Sequence, residues 1–370
     1  MPSAELHLIL VWHNALDQAE RILLDAEQQF TVCDVLKVHW SPEKFSRNLT
    51  KFYDDDLPDG SDKERHCGVG EFLLIIVEDD SPVHARRPVS RGGRERVNTK
   101  MHAAKTRYRD WTGGGHRVHT SLDSREFARD SFLLLGRQAE RYRPGASLVW
   151  GGSISDVQAD LVGTDGWDDV QQLARALELT GPFVVLDRTA ADDLTLLVED
   201  FWSATVMATG AKPAEERFGR HDLSVDGRSR TVELHEVGGG HLDPDWQSDM
   251  IAGRVWDAEG LPVLSPEDRF YSVLYRGLFH EPDLVEARAA ELRVLAARHR
   301  LPDGDFLDDA LAHRVLDDYL ARMGYGHARA RAPAEPTEPS RLRGAARAVK
   351  RRATRVPGAV AAVARARRRT

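Results

Sequence analysis

A chain of 370 residues, 41% hydrophobic and 30% charged, has room for two ordinary domains with packed cores. Two cysteines, Cys33 and Cys67, exclude a disulfide scaffold and suit a reducing cytoplasm, and no apolar run approaches the roughly 18 residues of a membrane helix. The net charge of −8 hides an asymmetry: residues 341–369 hold 11 of the 51 Lys and Arg and no acid, leaving 40 basic against 59 acidic residues elsewhere, a body ill-suited to nucleic acid as its main ligand.

The chain opens on Met1-Pro2-Ser3-Ala4-Glu5, without the basic and apolar regions of a signal peptide, so a cytoplasmic protein is expected. Residues 6–12 (LHLILVW) predict a buried strand, and residues 15–30 place Leu16, Ala19, Leu23 and Ala26 at helical spacing. A second strand is expected over 30–40, then a short helix opened by Ser41-Pro42-Glu43. Residues 72–77 (FLLIIV) form the most apolar strand. This strand–helix–strand order predicts an α/β domain over residues 1–145 with some parallel pairing. Residues 81–97 read as a loop, and residues 124–135 as a helix ended by Gly136.

The pattern breaks at Arg143-Pro144-Gly145, the expected boundary with an α+β domain over residues 146–330. There, residues 167–179 and 201–209 predict helices, and residues 183–186, 194–198 and 230–235 predict strands. Three more helices are expected over 266–279, 284–300 and 308–322. A Pro-rich linker (APAEPTEPS) over 332–340 leads into the basic tail.

In the second domain, Asp193 precedes the strand Leu194–Val198, Glu199-Asp200 follows it, and Glu233 lies on a later strand. Alternate strand residues share a face, so acids two apart can converge on divalent ions that clamp a nucleoside triphosphate. Residues 167–282, with Trp246, Asp249 and Pro266-Glu267-Asp268 downstream, resemble the polymerase-β-type nucleotidyltransferases, in particular a bacterial branch associated with surface-polysaccharide and teichoic-acid assembly. The resemblance implies Asp193 as the first, catalytic acid, Glu233 as the third, both as metal ligands, and Mg²⁺ or Mn²⁺ as the ion. The motif is degenerate: Thr195 stands in the second acidic position, and Asp187-Arg188-Thr189 replaces the expected Gly-Ser pair.

In the first domain, residues 105–120 (KTRYRDWTGGGHRVHT) set Gly113, Gly114 and Gly115 among Lys105, Arg107, Arg109, His116, Arg117 and His119. Consecutive glycines let a backbone approach an anion closely. The expected substrate-binding residues are therefore Asn98, Lys105, Arg109 and the three glycines, with His116 and His119 as catalytic acid or base. A zinc site at His116 and His119, with His66 and Cys67 upstream, and an ordinary glycine-rich turn are the alternatives. No Walker motif is present, since His116 follows the glycines.

Together these expectations describe a nucleotidyl- or phosphoryl-transferase-like protein of cell-surface polysaccharide assembly, taking a phosphorylated or nucleotide-linked sugar. A glycosyltransferase, and a non-catalytic degenerate binding protein, are the alternatives. The tail, with basic residues among Leu342, Ala345 and Val349, suits an anionic membrane surface at the inner face of the membrane. A solubilising tail and nonspecific nucleic-acid binding are its other readings.

Overall fold

The computed structural model describes residues 4–88, 93–189, 193–215 and 217–327; the expected linker and basic tail lie outside them. The fold is of α/β type with several sheets. Among the described residues no helix is long and apolar enough to cross a membrane.

The first half runs β1 (Glu5–Val11), α1 (Ala19–Gln29), β2 (Thr31–His39), α2 (Phe45–Tyr53), α3 (Asp62–Cys67) and β3 (Phe72–Asp79). A hairpin of β4 (His84–Pro88) and β5 (Arg94–Asn98) follows where a loop was expected; Arg86 to Pro88 and Arg94 to Arg96 are all exposed on this two-stranded ribbon, so no apolar alternation marks the strands. Then come α4 (Thr99–Trp111), β6 (Val118–Thr120), α5 (Ser124–Leu135) and β7 (Ser155–Gln158). The sheet order is β6-β1-β3-β2-β7. The strand β3 inserts antiparallel between β1 and β2, so the expected parallel neighbours are separated, in a split β–α–β pattern. Among the described residues of this sheet, only β7 pairs parallel, with β2. Lying beyond Arg143-Pro144-Gly145, it returns the chain to the first sheet.

The second half holds α6 (Val170–Thr180), β8 (Phe183–Arg188), β9 (Leu194–Val198), α7 (Phe201–Thr209), β10 (Phe218–Val225), β11 (Arg228–Glu236) and α8 (Pro244–Ala252). It ends with β12 (Val255–Trp256), β13 (Pro262–Val263), α9 (Pro266–Phe279), α10 (Leu284–Ala287), α11 (Ala289–His299) and α12 (Asp309–Met323). The helix expected over 284–300 is thus broken at Arg288, which caps α11. The sheet order is β10-β11-β9-β8-β13-β12, with β8 and β9 antiparallel and β11 parallel to β9.

The strands β1 and β3 are buried along nearly their whole length because both faces are covered. Ile9, Val11, Ile75 and Val77 meet Ile22 of α1 and Met101, Ala104 and Tyr108 of α4. On the other face, Leu8, Leu10, Leu74 and Ile76 join Phe45, Leu49 and Phe52 of α2 in one apolar cluster. That cluster continues through Leu173 and Leu177 of α6 and Phe201 of α7 to Leu196 and Leu234 of the second sheet. The far face of the second sheet, with Val184 and Leu197, packs on Trp246, Phe270, Leu274 and Leu316. One shared interior therefore joins the two sheets.

Candidate functional site

The convergence of ionisable groups in the first half centres on His119. It lies on β6 opposite Leu10 of β1, on an edge strand covered by helices on both sides. From α5, Glu126 and Asp130 stand four residues apart and so share a helix face. From α4, Lys105 and Arg109 do the same. The imidazole Nε2 of His119 lies 2.9 Å from Asp130 Oδ2 and 3.8 Å from Glu126 Oε1. Arg129 Nη1 approaches the other oxygen of Asp130 at 3.3 Å. Lys105 donates to the carbonyl of Thr120 at 3.0 Å, and Arg109 to that of Val118 at 3.1 Å, so the two cations bracket His119 along the strand. Phe52 and Tyr53 of α2 turn their rings edge-on to the imidazole, with centroids 5.2 and 5.7 Å away.

Burial, seconded by Lys105, holds His119 well below its usual range, with Arg109 and Arg129 acting in the same sense against Glu126. A neutral ring donating Nε2–H to Asp130 leaves the lone pair on Nδ1. The same α5 acids were missed in the sequence, although their spacing of four on a predicted helix was legible. His119, Glu126 and Asp130 are also the one group among the described residues whose ligand atoms all lie within 4.8 Å of one another. One nitrogen and two carboxylates suit a divalent ion by donor type, but Lys105, Arg109 and Arg129 already supply positive charge there.

The other expected residues of this half are placed elsewhere. Asn98 is wholly buried as the N-cap of α4, accepting from the amides of Lys100 and Met101 at 3.0 and 3.2 Å and donating to Asp79 at 2.8 Å. The glycines lie at the other end of α4, about 20 Å away at 1.5 Å per residue, so Asn98 and the glycine loop cannot grip one phosphate. Gly113, Gly114 and Gly115 all have positive φ, of 79°, 82° and 74°. Gly114 donates its amide to the carbonyl of Arg109 at 2.6 Å and Gly113 to that of Asp110 at 3.3 Å. Two of the three loop amides therefore terminate α4, at the negative end of its dipole. His116 stands beside His66, ring centroids 5.7 Å apart, and Cys67 donates to the carbonyl of His116. Burial pushes the Cys67 thiol up to about 12, unfavourable to a thiolate ligand. His116, His119, His66 and Cys67 do not assemble a zinc site.

In the second half, Glu233 pairs in register with Thr195, and Thr195 with Asp187, which puts the three on one sheet face. Asp193 Oδ1 accepts the amide of Thr231 at 2.8 Å, and Glu233 faces Arg220 at 3.5 Å. Asp187, expected in a turn in place of the motif's Gly-Ser pair, lies instead within β8 and meets Arg288 at 2.8 Å, Arg269 at 3.2 Å and Arg276 at 3.6 Å. Arg269 also binds Glu291. These carboxylates are neutralised by protein cations or a backbone amide, and with Thr195 neutral the donor set does not fit a pair of divalent ions. Compared with known proteins, the chain matches no protein-family model and no curated protein sequence.

Proposed function

We propose that this chain is a phosphoryl- or nucleotidyl-transferase-like protein acting on a phosphorylated or nucleotide-linked sugar, with its chemistry centred on His119. The observation that carries this reading is one buried imidazole oriented by Asp130 and bracketed by Lys105, Arg109 and Arg129. In it, Nδ1 of His119 takes the proton of an acceptor hydroxyl as that oxygen attacks phosphorus; the bond from phosphorus to the donor's leaving oxygen breaks in the same displacement, and the leaving phosphate or sugar phosphate departs with the electron pair of that bond. Asp130 fixes the tautomer and steadies the imidazolium, while the three cations balance charge on the phosphoryl oxygens. Surface-polysaccharide assembly as the setting rests on the resemblance of the second half. Its support is the order α6, hairpin β8–β9, α7 and β11 parallel to β9, with Thr195 and Glu233 in register.

The test is turnover of nucleotides and nucleotide sugars by the full chain, with and without Mg²⁺ or Mn²⁺. His119→Asn should lower turnover at least ~100-fold, while His116→Asn leaves it within a few-fold. Equal activity of His119→Asn and the parent would end this reading. The arginines around Asp187 favour the second, non-catalytic reading, under which ligand binding survives His119→Asn and no turnover is found.

For the tail, the proposed partner is an anionic membrane surface. Removing residues 341–370 should weaken binding to phosphatidylserine vesicles and leave the melting temperature unchanged. Vesicle binding that survives the deletion counts against it, as does a salt-sensitive affinity for DNA that exceeds it.

A further inference from the structure

A cavity of about 710 Å³ opens between α9, α11 and α12, far in sequence from the His119 centre. Its volume falls within the range of small-molecule sites. Tyr271 forms its buried wall and stacks on Tyr319, with centroids 3.6 Å apart and planes 9° from parallel. Pro266 and Pro302 stiffen two of its rims.

Its charge is cationic. Arg322 lines it and is held by Glu267 at 2.7 Å, with its guanidinium 5.5 Å from the Tyr319 ring. Glu267, the one acid among the described residues that line the cavity, offsets one of its two guanidinium charges and leaves the lining net positive, and Asp318 is the least of the influences on Tyr271. Arg300 and His299 also line it. Arg300 caps α11 in the left-handed region, at φ 55° and ψ 35°, where glycine or asparagine is the ordinary choice. An exposed arginine gains no packing in return for that conformation. Strain of this kind gathers where a side chain serves a ligand.

We infer that this cavity binds a phosphate monoester bearing an aromatic base, of about nucleoside-monophosphate size, its phosphate between Arg300 and Arg322 and its aromatic ring against Tyr271. Guanidinium groups suit phosphate oxygens through forked, charge-assisted hydrogen bonds. The site is independent of the one proposed at His119.

Calorimetric titration of the full chain with AMP, adenosine, ribose 5-phosphate and inorganic phosphate tests it. AMP should bind at least ~10-fold more tightly than the other three, since each lacks the aromatic base or the phosphate. Arg322→Ala should weaken AMP at least ~10-fold. Arg300→Gly should do the same while holding or raising the melting temperature, because glycine relieves the backbone; this separates lost binding from lost folding. His119→Asn should leave AMP affinity unchanged. The inference falls if AMP does not bind, if Arg300→Gly and Arg322→Ala both bind as the parent does, or if His119→Asn removes the binding.

Discussion

Asp130 shows how a single carboxylate organises the His119 centre. It is 1% exposed, and its two oxygens are divided between His119 and Arg129. Truncation would leave the buried imidazole N–H without its acceptor and remove the anion beside the Arg129 guanidinium, which keeps the carbonyls of Lys51 and Phe52, an expense larger than the net worth of the bonds. Asp130→Ala should therefore lose about 3 kcal/mol in chemical denaturation, and Asp130→Asn, which keeps one acceptor, distinctly less. Equal losses for the two would mean that the carboxylate charge alone matters at this position, and that the acceptor kept by asparagine contributes nothing. Glu126 differs: at 30% side-chain exposure it accepts the amide of Leu122 at 2.7 Å, just ahead of α5. Its first duty is to the start of the helix.

At the scale of elements, α4 separates two features that the sequence places close together. Its 13 residues carry Asn98 at one end and the triple glycine at the other, a distance that composition alone does not reveal. The loop's glycines are explained by backbone geometry. A Cβ on Gly113 would come 2.7 Å from Arg117 Nη1 and one on Gly115 would come 3.0 Å from His66 Nδ1, whereas Gly114 has nothing within 4 Å. Gly114→Ala should thus cost only its left-handed backbone, about 1–2 kcal/mol, and leave turnover and ligand binding intact. Abolished binding at unchanged stability would restore the loop as an anion cradle. The strands β1, β2, β3, β8 and β9 were legible because apolar runs survive burial on both faces. The hairpin β4–β5 was not, since neither of its strands has an apolar face to alternate. The His119 centre was half legible: the α4 cations and the histidine stood out beside the glycines. Asp130 and Glu126 read as ordinary helix charges until β6 was placed against α5. Asp187 was seen only as a departure from a motif, and its three arginines come from α9 and Arg288, about 80 to 100 residues along the chain.

For the whole molecule, the shared interior has a consequence in its response to acid. His7 and His119 in the first half, and His221, His235 and His241 in the second, are all held below their usual range, with burial the leading cause in each. His235 is lowered to about 4, with His241 and Arg276 adding to the effect of burial. A histidine with a depressed pKa is neutral in the folded chain and takes up a proton more readily when unfolded. The unfolded state then binds more protons below about pH 6.5, so stability rises with pH. This contribution is intact above about 6.5 and is lost as pH falls from there toward 4. For His235 alone, the span from 6.5 to about 4 corresponds to roughly 3 kcal/mol at the acid end, at about 1.4 kcal/mol per pKa unit. Asp79 and Asp160 lie below the usual carboxylate value, so their contributions fade only under more acid conditions and leave the histidine window distinct. Urea denaturation at pH 7.5 and pH 4.5 should show a drop of several kcal/mol, and His235→Gln should make that drop smaller. A parent chain equally stable at both pH values would mean that these histidines take up protons in the fold as readily as in the unfolded chain, and burial would not then be holding them neutral.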